Sequence, residues 1–88
     1  MATYRDLFFK AIDQLVESIK TEEDKIEVKN KIRAEMKNEE LRISYTNIKE
    51  KESIKEKFRN FYEKFDTSSL LDVVEMAKDI IDTITKDA

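Results

Sequence analysis

Glycine, proline, cysteine, histidine and tryptophan are all absent from this sequence of 88 residues. An average chain of this length carries roughly six glycines and four prolines, so the first two absences are informative. Strands joined by tight turns want glycine at positive φ and proline at turn corners. Helices lose about 1 kcal/mol to each glycine and about 3 kcal/mol to each proline. A chain with neither is expected to be built of helices and short polar loops.

The other absences remove chemistry. Without cysteine there are no disulfides, thiolate metal sites or thiol nucleophiles, and redox usage says nothing of compartment. Without histidine the commonest general base and most remaining transition-metal ligands are gone. Without glycine, phosphate loops that need close backbone approach are gone as well. The expectation is a protein that is not an enzyme and holds no metal or cofactor. No apolar run nears the roughly 20 residues that cross a bilayer. The segment Met1 to Asp6 places an acid before the first apolar run and has no small-residue cleavage site, unlike a secretory signal. A cytoplasmic protein with no membrane partner is the default expectation.

Charge is what the chain has in abundance, at 42% Asp, Glu, Lys and Arg. Enough Leu, Ile, Val and Phe lies between the charges for the chain to fold. At this length it forms one domain, residues 1–88, that buries about 60 to 65% of its unfolded surface and has a stability on the order of 5 kcal/mol.

Apolar spacing divides the chain. Thr3 and Asp6 read as a capping pair, and Tyr4, Leu7, Phe8, Ala11, Ile12, Leu15, Val16 and Ile19 recur at three and four, predicting a helix over about 3–20. With Phe9 these positions cover an arc of about 200°, wide enough to touch two neighbours. Thr21 and Asp24 repeat the signature before a narrower stripe of Val28, Ile32 and Met36, predicting a helix over about 22–37 that ends near Asn38. Beyond it, Leu41, Tyr45 and Ile48 fall on the opposite face from that stripe, and Leu41, Ile43 and Tyr45 alternate as in a strand. Residues 38–53 are therefore expected to be irregular. Asn47 and Glu50 weakly cap a third helix over about 47–65, whose row Ile54, Phe58, Phe61, Phe65 has core spacing, with Tyr62 the ring expected nearest the surface. Asp66 to Ser69 is a loop and N-cap. The last helix, about 69–86, carries Leu70, Val73, Val74, Ala77, Ile80, Ile81 and Ile84 on one stripe. Four segments of similar length with short connections predict an all-α protein, a small antiparallel four-helix bundle.

Charge is unevenly placed. Residues 1–24 hold three basic and six acidic side chains, residues 25–64 twelve and eight, and residues 65–88 two and six, for net charges of -3, +4 and -4. In the basic middle Lys25, Lys29, Arg33 and Lys37 recur at i+4 as a ridge beside the apolar stripe. In the last helix Asp72, Glu75, Asp79 and Asp82 line the face opposite its core. Like charges at i+4 cost about 0.2 to 0.5 kcal/mol per pair, so each row gains from opposite charge nearby, within the bundle or on a partner. The ridge is the candidate site for a phosphate-bearing or acidic partner.

Asn38 to Ile48 also resembles the turn of a helix-turn-helix unit, with Leu41, Ile43 and Ile48 at its buried positions and Arg42 where the turn usually has glycine. The resemblance implies that Ser44, Tyr45, Asn47 and Lys51 face DNA. Three functions are thus expected, in order: binding of a macromolecular, chiefly protein, partner as a small regulator, inhibitor, immunity or assembly factor; DNA binding through residues 38–51; and self-assembly, for which Leu41, Tyr45 and Ile48 are the first contact candidates.

Overall fold

The computed structural model describes residues 3–44 and 51–86, which form four helices: α1 (Tyr4–Glu17), α2 (Glu22–Ser44), α3 (Lys51–Lys64) and α4 (Leu70–Lys86). Their ends are built by hydroxyl and carboxylate side chains. Thr3 Oγ1 accepts from the Asp6 N–H at 3.2 Å while Asp6 receives the Thr3 N–H at 3.4 Å, a full capping box. Thr21 and Asp24 repeat it, with Asp24 Oδ2 accepting the N–H groups of Lys20 at 2.9 Å and Thr21 at 3.1 Å. Those two donors hold the Asp24 carboxyl below its ordinary range, because they favour the charged form. Ser69 Oγ caps α4 through the Asp72 N–H at 3.2 Å.

The C-termini do without glycine. Ser18 N–H is shared between the carbonyls of Gln14 and Leu15, each at 3.2 Å, and the hydroxyls of Thr67 and Ser68 cover the Lys64 carbonyl at 3.3 and 2.7 Å. Among the described residues none takes a positive φ, so no helix ends in the left-handed turn that favours glycine.

Consecutive helices run antiparallel. Tyr4 at the start of α1 meets Glu39 near the end of α2, and Glu40 of α2 meets Tyr62 of α3. Lys57 of α3 binds Asp79 of α4 at 2.8 Å, and α4 returns along α1 through Arg5–Asp82 and Lys78–Asp13, both at 2.7 Å. The four helices do not form a square. α4 packs on all three others and lies close to α2 across the diagonal, whereas α1 and α3 do not meet among the described residues. The result is a flattened bundle of 41 × 34 × 17 Å.

That layout sets the core. α4 supplies Val73, Val74, Ala77, Ile80, Ile81 and Ile84, all buried, against Phe58, Phe61 and Phe65 of the third segment and Val28, Ile32 and Met36 of α2. The outer α1 contributes only Ile12 as a fully buried residue. Its wide apolar arc does touch two helices, α2 and α4, but Tyr4 and Leu7 stay 47% and 57% exposed.

One boundary is corrected. α2 does not stop at Asn38 but continues helically to Ser44. Its buried stripe runs Val28, Ile32, Met36, Glu39, Ile43, at spacings of four, four, three and four. The expected break rested on Leu41 needing cover, and the helix leaves Leu41 60% exposed. The stripe is continued across that point by Glu39, which is buried. Ile43 therefore belongs to a helical stripe, not to a strand-like alternation. The irregularity expected at residues 45–50, with the Asn47–Glu50 cap, lies outside the described residues.

Candidate functional site

The ridge on α2 faces α3, and its charges are met in an unexpected way. Lys25 pairs with Glu22 on its own helix at 3.0 Å. Lys29 reaches across to donate to the Ser68 carbonyl at 2.8 Å, with its Nζ 4.8 Å from the centre of the Phe65 ring. The Arg33 guanidinium lies 4.6 Å from the same ring, and Lys37 Nζ lies 5.4 Å from the Tyr62 ring. Three of the four cations thus stand on the electron-rich faces of the aromatic row of the third segment, each worth about 0.5 to 1 kcal/mol at an exposed site. Among the described residues no carboxylate pairs with Arg33 or Lys37, and both remain exposed. The ridge is part of the bundle's own packing and still presents charge outward.

Lys37 also opens onto a groove of about 520 Å³ between the C-terminal half of α2 and the N-terminal half of α3. Ile43, Ile54 and Phe58 form its apolar floor, and Lys37, Lys51, Lys55 and Arg59 surround it, with Glu40 the one carboxylate among the described residues that line it. Among the described residues, cations outnumber acids at the groove four to three even with Glu52 and Glu56 counted, on a chain whose net charge is -3. Lys55 and Arg59 are each bound to an acid one turn back, Glu52 at 3.7 Å and Glu56 at 2.7 Å. Such exposed pairs are weak and exchangeable. Lys51 Nζ reaches the Ser44 carbonyl at 3.1 Å and tethers the start of α3 to the end of α2.

Tyr62 forms the wall between ridge and groove. It is half-buried, beside the fully covered Phe58 and Phe61, and its hydroxyl donates to Glu40 Oε1 at 3.2 Å. Burial, and then the adjacent Glu40 charge, push its phenol well above the ordinary tyrosine value, since both oppose formation of the phenolate.

Half of the acidic row of α4 is paired within the bundle. Asp79 is bound by Lys57 and Asp82 by Arg5, while Asp72 and Glu75 point to solvent. The hydrogen bond from Arg5 holds the Asp82 carboxyl below its ordinary value, with Lys86 at 3.5 Å adding to it.

Residues 38–44, where the helix-turn-helix resemblance needs a turn, are the last two turns of α2. Arg42 is helical at the expected turn position, and Leu41 is exposed where that motif buries it, while Ile43 is buried. Ser44 is exposed at the helix end, Lys51 begins α3, and Tyr45, Asn47 and Ile48 lie outside the described residues.

The feature that sequence pattern did not single out is Glu39, 5% exposed in the stripe of α2. Its carboxylate accepts from the Tyr4 hydroxyl and from Arg42, at 2.9 Å from Nη2 and 3.3 Å from Nε. The Arg42 guanidinium in turn lies 5.0 Å from the Tyr4 ring centre. The signal was present as spacing, three after Met36 and four before Ile43, but it was carried by a residue type that pattern reading assigns to the surface. Among the described residues no group of three or more acids is placed to hold a metal ion, and no helix is long and apolar enough to cross a membrane.

Fold and surface together define a small, highly charged antiparallel helical bundle with a basic groove on one side. Comparisons with protein-family models, curated proteins and solved structures found no match for the chain.

Proposed function

We infer that the protein is a non-enzymatic binding bundle whose α2/α3 face docks an acidic surface of another protein. Such docking suits a small regulator, inhibitor, immunity factor or assembly factor. The observation that carries the reading is the basic groove, where Lys37 joins Lys51, Lys55 and Arg59 around an apolar floor on a net-acidic chain. Opposite net charge elsewhere on the molecule orients an approaching acidic partner toward this side and raises its on-rate. The apolar floor and the Tyr62 wall supply area that water leaves on docking.

The test is capture of interacting proteins from the native host at low and high salt, with the wild type and with Arg33→Glu/Lys37→Glu. Circular dichroism checks that the variant is folded. A protein held by the wild type, released by salt and lost in the folded variant supports the reading. Capture that is indifferent to the charge reversal refutes it. Salt-sensitive binding of mixed duplex DNA, lost in the same variant, would transfer the groove to nucleic acid.

A further inference from the structure

On the opposite side of α2 the surface changes character. We propose that the α1/α2 face is a self-complementary surface on which a second copy of this chain docks, with α1 antiparallel to α1 about a two-fold axis at Ala11.

In a chain that is 42% charged, one strip of α1 carries no charge at all: Tyr4, Leu7, Phe8, Ala11, Leu15 and Ser18, each three or four residues from another member. Tyr4 is 47% and Leu7 57% exposed, Ala11 is exposed, and Phe8 and Leu15 are only half-buried. Between this strip and α2 runs a groove of about 390 Å³ with Ile12 and Ile32 at its base. Apolar surface grouped along a helix in this way marks an interaction site more than scattered exposed residues do.

Symmetry selects the occupant. A two-fold axis at Ala11 brings Leu7 of one copy beside Leu15 of the other, and the small Ala11 side chain at the crossing lets the helices approach. The Tyr4–Glu39 contact sets the register of α1 on α2, so that Ala11 lies near the level of Ile32. Lys31 and Glu35, both exposed, bracket that level on the rim of α2. The same axis therefore brings Lys31 of each copy to the level of Glu35 of the other, to within about one helical turn along the helix direction. An isologous interface needs this pairing of a surface with itself. Within its own chain Lys31 pairs with the exposed Glu27 at 3.3 Å, and its charge also acts on Asp24.

The strip is about 21 Å long and the two helices side by side about 20 Å wide, or roughly 400 Å² per copy. That is about half of a standard interface. The dimer is accordingly weak, with a midpoint on the order of 0.1 mM.

Sedimentation equilibrium of the full chain from about 10 μM to about 1 mM spans that midpoint. The apparent mass is expected to climb from one chain toward two. Ala11→Glu sets like charges against each other at the axis and should weaken association at least tenfold. Lys31→Glu should weaken it severalfold, and Lys31→Glu/Glu35→Lys should restore it, because the double reversal swaps both members of each pair. Circular dichroism monitors folding; if Ala11→Glu fails to fold, the rim variants decide. A strict monomer throughout the series overturns the proposal, including one that instead binds anionic phospholipid vesicles. So does a dimer indifferent to Ala11→Glu in a folded variant, or one not restored by the double reversal.

Discussion

Removing Arg42 should destabilise the bundle by about 2 kcal/mol, and replacing Glu39 by leucine as well should return all of that loss. Glu39 is 5% exposed on the core stripe of α2, and its charge is offset by Arg42 and the Tyr4 hydroxyl. Arg42→Ala leaves the carboxylate in place with one neutral donor. A hydrogen bond to a charged group is worth about 1.5 to 3 kcal/mol, and breaking a fully buried pair costs about 3 to 5 kcal/mol. The Arg42 side chain is 46% exposed, so water reaches one end of the pair and the lower figure applies. In a domain of this size about 2 kcal/mol lowers Tm by roughly 8 to 16 °C. Glu39→Leu in the Arg42→Ala background replaces the orphaned charge by a side chain that fits between Met36 and Ile43. The double variant should match or exceed the wild type, with the Tyr4 hydroxyl turning to solvent. Urea unfolding followed by far-UV circular dichroism measures all three proteins. An Arg42→Ala protein within about 0.5 kcal/mol of wild type, or a double variant no better than the single, would refute the account of Glu39 as a charge held in the core by its partners.

Three further outcomes are expected. In a spectrophotometric titration, the phenolate lost in Tyr62→Phe should be one that forms well above pH 10, because burial and Glu40 favour the neutral phenol. The raised folded value means that this contribution is complete below the unfolded tyrosine value near 10 and is lost as pH rises beyond it. At the acid end, Asp82 is held low by Arg5, so its contribution is present above an unfolded value of about 3.9 and vanishes as pH falls through the lower folded value. Acid unfolding of Asp82→Asn should therefore depend less steeply on pH below about 4. Finally, Ile32→Ala, at a site with 0% exposure, should cost about 2 to 5 kcal/mol and leave much of the protein unfolded. Ile26→Ala, at 63% exposure, should change stability by less than about 0.5 kcal/mol. Urea midpoints compare the pair directly.

Much of the fold was legible because α4 and the Phe row have one-sided apolar faces at helical spacing. Every apolar stripe residue of α4 after Leu70 is buried as its spacing implies, and the caps at Thr3, Thr21 and Ser69 act through the predicted side chains. The end of α2 was not legible. Its stripe passes through a glutamate, and a carboxylate enters a core position only when its charge and lone pairs are satisfied there; Arg42 offsets the charge from three residues away, but that local pair does not by itself show that the carboxylate is buried. Tyr4 supplies the other partner from 35 residues away.

The candidate surfaces divide in the same way. The ridge Lys25, Lys29, Arg33, Lys37 was visible as a spacing of four, but its setting on Phe65 and Tyr62 depends on how α3 lies across α2. The groove that Lys37 shares with Lys51, Lys55 and Arg59 likewise exists only between helices. By itself the sequence determined helix content, most helix ends and the identity of most core residues, because these depend on backbone propensity and local periodicity. Only the tertiary structure decided that α2 and α4 take the short diagonal, that α1 is left with an uncovered uncharged strip, and that Glu39 can be buried. Each of these depends on which faces meet across long stretches of chain.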